Sequence, residues 1–278
     1  MMGRVKPGEL AGREVLERLL GLARERAWRT LPIGERIGAI GLALRHTPYV
    51  AATLEGGDGR EVCAVDLRGL DCVTFFETAL GFARMLKTGG RTPRALLEQV
   101  RFTRYRGGRL RGYASRLHYT SDWLADNARK GVVRLVTREL PGAARLDKRV
   151  NFMSTHPAAY PALAADPTLV RAIARIEDRI SGRPLVYVPK DKIGDAQALL
   201  MTGDIVGFTT SLDGLDCAHA GLCYRDEQGR VRLLHASTTA REVTLDDELA
   251  AYLARVPTHT GIIVARPLEP ARPDSSHG

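Results

Sequence analysis

The sequence has few cysteines, few tryptophans and no long apolar run. Four cysteines among 278 residues are too few for a scaffold built on disulfides, so we expect free thiols. No stretch approaches the roughly 18 to 20 consecutive apolar residues of a membrane helix, and the first residues do not resemble a secretory leader. We therefore expect a soluble protein whose compartment is unknown. The sequence as given indicates a cytoplasmic protein, whereas a leader removed beforehand would indicate a periplasmic or cell-envelope protein.

Acidic residues are outnumbered, with 32 Asp and Glu against 41 Lys and Arg, a formal charge of +9. This excess favours an anionic partner such as nucleic acid, anionic lipid or a carboxylate-bearing polymer. Residues 101–106, with Arg109 and Arg111, interleave arginine with aromatic residues, a pattern of proteins that bind single-stranded nucleic acid. No nucleic-acid-binding fold motif accompanies the run, so we expect no nucleic-acid partner; a solvated basic loop also explains it.

Apolar spacing predicts helices first and strands afterwards. Two helices are expected in residues 1–48, and an almost wholly apolar core helix runs from Cys72 to Leu86 and stops at Gly89. Residues 91–165 lack clean periodicity and predict a loop-rich insertion over the core, which we expect to serve substrate recognition. A helix from Asp166 to Gly182 follows it. Strands are predicted at 62–67, 185–188, 204–209, 218–224, 231–237 and 261–265, and a disordered tail at 267–278. This order indicates an α+β fold with an antiparallel sheet.

Cys72 is the candidate nucleophile. A thiol attacks as its thiolate, and a cysteine at the first turn of a helix has its pKa lowered by unpaired backbone amides. A small buried side chain is the alternative interpretation of a cysteine in a core helix.

Two histidines on a predicted hairpin favour the catalytic interpretation. His219 and His235 share one face of the ribbon, and a loop centred near Glu227 would put them opposite each other, with a slip of one residue also possible. Facing histidines are poor core residues because their ring nitrogens need partners. We assign His219 as the base and later acid, and His235 as the residue that orients it.

A metal site is the competing interpretation, because Cys217, His219, Cys223 and His235 are all ligand types. In an extended strand Cys217 and Cys223 would lie about 20 Å apart at ~3.3 Å per residue, too far for one tetrahedral zinc. We therefore expect no metal and treat the two cysteines, which share the His219 face by alternation, as packing residues.

Four blocks of sequence resemble the NlpC-type papain-like cysteine peptidases: residues 71–75 (DCVTF), 203–208 (GDIVGF), 218–222 (AHAGL) and 233–237 (LLHAS). More narrowly, residues 47–49 (TPY) with 54–55 (LE), 70–75 (LDCVTF), 117–123 (LHYTSDW) and 151–154 (NFMS) resemble the N-acetylmuramoyl-L-alanine amidase-like branch. The resemblance extends over about residues 33–265. It implies a papain-like core, with the nucleophile helix packed on an antiparallel sheet, in a single catalytic domain over residues 1–266.

The resemblance also implies a function. Members hydrolyse amide bonds in peptidoglycan or muropeptides, and this branch is associated with the bond between N-acetylmuramic acid and L-alanine, without a cofactor. Related peptidases often carry serine directly after the nucleophile, where it helps to hold a free L-alanine amine; here Val73 suits an alanine whose nitrogen is already acylated. An endopeptidase, an acyltransferase and a non-catalytic wall-binding module stay open, as does the oligomeric state.

Further site residues are assigned on the same basis. Tyr49 matches a tyrosine beside the nucleophile, so its hydroxyl and the Cys72 backbone amide are the candidate oxyanion donors, with a core aromatic as the alternative. The candidate substrate-binding residues combine cationic, aromatic and acidic side chains suited to a sugar and a carboxylate. They are Arg116, Tyr119, Asp122 and Trp123.

Overall fold

The computed structural model of the protein describes residues 8–55 and 61–271. Helices dominate the first part of the chain and strands the last, which confirms the α+β class. The helices are α1 (Arg13–Glu25), α2 (Ile33–Ala43), α3 (Cys72–Lys87), α4 (Pro93–Arg104), α5 (Thr120–Arg129), α6 (Phe152–Thr155), α7 (Pro161–Ala165), α8 (Pro167–Ser181), α9 (Ile193–Gln197) and α10 (Leu249–Arg255). None of the helices in the described ranges is long and apolar enough to cross a membrane.

The strands form one large antiparallel sheet and one small parallel pair. They are β1 (Leu10–Ala11), β2 (Val65–Asp66), β3 (Val133–Leu135), β4 (Ala144–Leu146), β5 (Leu185–Pro189), β6 (Ile205–Thr210), β7 (Cys217–Arg225), β8 (Val231–Ser237), β9 (Glu242–Glu248) and β10 (His259–Pro267). The large sheet has the order β4-β5-β10-β6-β7-β8-β9, with β3 also pairing with β10. Strands β1 and β2 pair in parallel.

Helix α3 is the central element of the core. Its residues from Thr74 to Leu86 are buried, and it packs against α2 and α4 as well as against β7 and β8. Helix α2, the second of the two helices predicted in residues 1–48, buries an apolar face on which Ile37 and Ile40 are fully covered. A second apolar cluster lies between the other side of the sheet and helices α9 and α10. The sheet is therefore covered on both faces, and the first residue of α3 lies next to strand β7.

The predicted strands from residue 185 onward are all present, and 231–237 matches β8 in full. The strand at 62–67 is reduced to β2, because only Val65 and Asp66 pair with the N-terminal residues. Strand β9 and helix α10 were not predicted. Both supply residues to the candidate site described below.

Two expectations about less regular segments are wrong. Residues 91–165 contain helices α4 and α5, whose Leu96 and Trp123 belong to the main core, because their apolar faces pack against α3. The predicted disordered tail starts too early, since Pro267 ends β10 and Glu269 pairs with the fully buried Arg36 at 3.0 Å. Residues 272–278 of that tail lie outside the described residues.

Candidate active site

Cys72 is the first residue of α3, as predicted, and its position is fixed by a capping box. The Asp71 carboxylate accepts from the backbone N–H of Val73 at 3.0 Å and of Thr74 at 2.7 Å. The Thr74 hydroxyl in return accepts from the Asp71 backbone N–H at 2.9 Å. Because the cap takes the amides of Val73 and Thr74, the Cys72 amide is left for another acceptor.

The predicted lowering of the Cys72 pKa is wrong. Burial and the neighbouring Asp71 charge raise the pKa of the Cys72 thiol to about 12, although backbone N–H groups, including that of Ala220, act in the opposite direction. The lowering effect of the helix amides on the Cys72 pKa is thus smaller than the raising effect of lost solvent and of the adjacent Asp71 carboxylate. The contact with Ala220 also places the sulfur beside the residue that follows His219.

The two histidines meet, but not directly across the hairpin. The register pairs Leu222 with Leu234, so the hairpin is centred on Gln228. The residue opposite His235 is therefore Gly221 and not His219. The prediction of direct opposition is therefore wrong by two residues; an even shift keeps both rings on one face. A diagonal contact results, in which His219 Nε2 and His235 Nδ1 are 2.6 Å apart.

Cys217 does not share the face of His219, contrary to the sequence-based expectation. The pairing of β6 with β7 shifts between Phe208 and Thr209, a bulge that turns Cys217 towards the main core while Cys223 lies in the second cluster. The four ligand-type residues therefore do not converge. No group of three or more His, Cys, Asp and Glu residues could hold a metal within residues 8–55 and 61–271.

Asp246, a carboxylate that was not predicted as a site residue, contacts His235. His235 Nε2 is 3.3 Å from Asp246 Oδ2, and the other oxygen, Oδ1, accepts from Arg255 at 2.7 Å. Asp246 belongs to β9 and Arg255 to α10, the two elements that were not predicted. The alternation of Val243 and Leu245 with polar neighbours was the available signal for the strand.

Aromatic rings surround the histidine pair. Phe208 stacks on His219 with ring centroids 5.7 Å apart, and Tyr252 of α10 lies 5.2 Å from His235. His259, the first residue of β10, is nearly parallel to His219 at 6.4 Å. Burial, followed by the charges of His235 and His259, lowers the pKa of His219 to about 3. At neutral pH the site therefore holds a neutral imidazole and a neutral thiol.

Tyr49 lies near the nucleophile, at the position expected of it. It bridges to Leu70, two residues before Cys72, and its backbone N–H donates to the Arg241 carbonyl at 2.8 Å. Burial raises the pKa of its hydroxyl, and the charges of Cys72 and Asp71 raise it further. The phenol is therefore a neutral donor close to the sulfur, and its role in catalysis stays a prediction.

Comparison with known proteins identifies the family. The model of the family described as N-acetylmuramoyl-L-alanine amidase-like matches residues 39–266. The chain belongs to the N-acetylmuramoyl-L-alanine amidase-like family.

Solved structures agree with this assignment. An N-acetylmuramoyl-L-alanine amidase from Bacteroides uniformis is 34% identical, with a TM-score of 0.78 over 85% of this chain and 99% of that one. A Bacteroides fragilis protein named as a candidate xylanase is 36% identical, with a TM-score of 0.74 over 81% and 98%. A Legionella pneumophila protein at 20% identity, with a TM-score of 0.66 over 94% and 95%, shares the fold. No curated protein matches the chain.

A cavity of about 190 Å³ in this amidase-like chain is lined by the residues on either side of Cys72, the candidate nucleophile. Val73 and Asp71 line it on one side, and Glu55, Arg116 and Tyr119 line it on the other. Arg116 is buried and is bound to Glu55 at 2.7 Å and to the Leu54 carbonyl at 3.0 Å. It therefore holds a carboxylate at the cavity wall.

The four predicted substrate-binding residues do not form one cluster. Arg116 and Tyr119 line the cavity, but the Tyr119 hydroxyl donates to Glu177 at 2.6 Å. Asp122 is buried between Arg106 and Arg183, and Trp123 donates to Glu77 at 2.9 Å while its ring packs on Phe76. In this family member, Asp122 and Trp123 thus contact protein groups and do not line the cavity.

Proposed function

We propose that this chain is a cysteine-dependent amidase of papain-like, NlpC-type architecture that cleaves peptidoglycan fragments at the bond between N-acetylmuramic acid and L-alanine. The observation that carries the proposal is a thiol at a helix start that contacts the strand residue next to a hydrogen-bonded pair of histidines. Cys72 begins a buried helix and contacts the Ala220 amide, and the neighbouring His219 is hydrogen-bonded to His235. Membership of the amidase-like family supports the substrate class.

In the first step Cys72 attacks the carbonyl carbon of the amide. His219 takes the thiol proton as the carbon–sulfur bond forms, because both groups are neutral beforehand. The oxyanion accepts hydrogen bonds from the Cys72 amide, which the Asp71 cap leaves unused, and from the Tyr49 hydroxyl. The carbon–nitrogen bond then breaks, and His219 returns its proton to the departing amine.

In the second step water releases the acyl group. His219 removes a proton from water, the resulting hydroxide attacks the thioester, and the sulfur leaves and is reprotonated. The lactyl group of muramic acid leaves as a carboxylic acid, and the peptide leaves with a free L-alanine amine. The two steps together add one water molecule across the amide bond, so they need no oxidant or cofactor.

The cavity beside Val73 supports cleavage at an acylated alanine. The position after the nucleophile carries no hydroxyl that would hold a free amine. An amide nitrogen bound to the lactyl carbonyl has no charge to neutralise, so an apolar valine is compatible with it. The formal charge of +9 also favours acidic muropeptides.

The test is digestion of N-acetylmuramoyl-L-alanyl-D-isoglutamine followed by product masses. The wild-type protein should yield N-acetylmuramic acid and L-alanyl-D-isoglutamine, and in H₂¹⁸O the label should enter the muramic acid carboxylate. Replacing Cys72 with alanine should reduce the rate by about 10⁴-fold or more, because no nucleophile is left. Cys63→Ala, at a buried cysteine outside the site, is the matched control and should keep the activity.

The same assay separates the other activities. A peptide bond cut beyond L-alanine indicates an endopeptidase, and an acyl product formed with added amine indicates a transferase. Substrate returned uncut while still bound indicates a wall-binding module. Full activity of Cys72→Ala would rule out the cysteine mechanism.

A further inference from the structure

We propose that Asp246 is a positioning residue that acts through His235 to set the tautomer of His219. The inference rests on the proposed function of His219 as a base, and it deepens that function. The carboxylate, two imidazoles away from the sulfur, decides which nitrogen of His219 carries the proton.

The contacts form a continuous line from strand β9 to His219, the residue before Ala220, whose backbone N–H contacts Cys72. Asp246 Oδ2 lies 3.3 Å from His235 Nε2, and His235 Nδ1 lies 2.6 Å from His219 Nε2. The line therefore uses both nitrogens of His235 and one nitrogen of His219. It leaves Nδ1 of His219 as the nitrogen that can accept the Cys72 proton.

The tautomers follow from counting protons. An ionised carboxylate only accepts, so the single proton of neutral His235 must be on Nε2. His235 Nδ1 is then an acceptor, and the short contact requires the proton of His219 to be on Nε2. His219 Nδ1 consequently carries a lone pair, which a base needs. With the carboxylate gone, His235 could donate from Nδ1 instead, and His219 would then be protonated on Nδ1.

The surroundings keep Asp246 ionised. Burial acts to raise its pKa, but hydrogen bonds from Arg255 and from the Asp247 backbone outweigh it, so the pKa of Asp246 lies below its usual value. The pairing of β8 with β9 shifts after Leu245, which places Asp246 and Asp247 opposite one residue of β8. Four charged or titratable groups contact His235 or act on its pKa. They are His219 from β7, Asp246 from β9, and Tyr252 and Arg255 from α10.

Long-range ¹H–¹⁵N spectra of the histidine rings test the inference without substrate. In the wild-type protein at pH 7, His219 should carry its proton on Nε2. In Asp246→Asn, whose amide both donates and accepts, a population protonated on Nδ1 should appear, and kcat should fall roughly 10- to 100-fold with little change in KM. An unchanged His219 tautomer in Asp246→Asn would overturn the inference.

Asp247→Asn is the matched control. Asp247 is the next residue, it pairs with the same Arg255, and it has no contact with His235 among the described residues. Its replacement removes a comparable charge, so the His219 tautomer should be unchanged and kcat should stay within about twofold. An equal loss of kcat in both variants would show a general charge effect and contradict the specific one.

A double-mutant cycle tests whether Asp246 acts through His235. In His235→Asn the amide oxygen can accept directly from His219 Nε2, so Asp246 should no longer matter. Adding Asp246→Asn to that background should cost less than twofold in kcat, and a full additive loss would contradict action through His235. If the wild-type protein cuts no amide, the proposed function fails, and the ring spectra still decide the tautomer.

Discussion

At the scale of single residues, the candidate site holds a thiol and an imidazole whose neutral forms are both favoured. The pKa of Cys72 is raised to about 12 and that of His219 is lowered to about 3. Both shifts have burial as their first cause, because removal from water disfavours either charged form. In the proposed mechanism the thiol therefore needs His219 as a general base while it attacks.

The alkylation rate of Cys72 should report this neutral thiol. With iodoacetamide the rate should rise about tenfold per pH unit between pH 6 and 9, because the thiolate fraction rises in that proportion below its pKa. Peptide mapping by mass spectrometry would follow Cys72 separately from the buried Cys63, Cys217 and Cys223. A rate that is already constant from pH 6 would indicate a preformed thiolate.

At the scale of elements, the start of α3 and the β7-β8 hairpin hold the residues of the candidate site. The capping box of Asp71 and Thr74 fixes where the helix begins. On the hairpin, Gly221 lies opposite His235, and a Cβ on Gly221 would lie 3.0 Å from the Cβ of His235. A glycine here thus leaves the space that the ring of His235 needs to reach His219.

Removal of the Asp71 side chain, which caps α3, should lower stability because its oxygen accepts two backbone hydrogen bonds. Asp71→Ala should reduce the free energy of unfolding by about 1 to 2 kcal/mol, because the amides of Val73 and Thr74 lose their partner. Asp71→Asn keeps an acceptor and should cost less than half as much. Urea unfolding measures both variants, and equal losses would show that the charge of Asp71, not its capping bonds, stabilises the helix start.

Thr92→Ala provides the comparison on α4. Thr92 caps that helix through a single bond to the Ala95 amide at 3.2 Å and lies outside the candidate site. Its loss should cost about 0.5 to 1 kcal/mol while leaving amidase activity unchanged. Asp71→Ala should reduce activity as well, because Cys72 follows the cap directly.

At the scale of the whole molecule, the sheet brings residues from distant parts of the chain around one cluster of rings. His219, His235 and His259 come from three strands, and Tyr252 comes from the helix that covers them. Burial, followed by the charge of Lys190, lowers the pKa of His259 to about 4. The folded protein thus keeps buried histidines neutral under conditions in which the unfolded chain binds protons.

These buried histidines should make the fold sensitive to acid. The pKa of His259 in the folded protein lies below its unfolded value of about 6.5, so the unfolded chain takes up the proton first and stability falls as the pH drops below that value. The loss from this residue should be about 2 kcal/mol at pH 5. His259→Phe keeps the ring against Phe208 and should reduce the loss in urea unfolding between pH 7 and pH 5. An identical loss in variant and wild type would contradict the assignment.

The sequence by itself determined helices α1, α2, α3 and α8, most of the strands and the three residues on which the proposal depends. Cys72 follows a strong N-cap, α2 and α8 have clear apolar faces, and period-two alternation puts His219 and His235 on one face. These are local properties, because capping and periodicity depend only on neighbours along the chain.

Only the tertiary structure decided how these elements meet. The hairpin centre, the bulge that turns Cys217 away, and the approach of Asp246 to His235 depend on pairing between strands. Burial of Asp122 and Trp123 likewise depends on helices packing against one another. The Cys72 pKa was predicted in the wrong direction because it depends on the loss of surrounding water, which helix position alone does not specify.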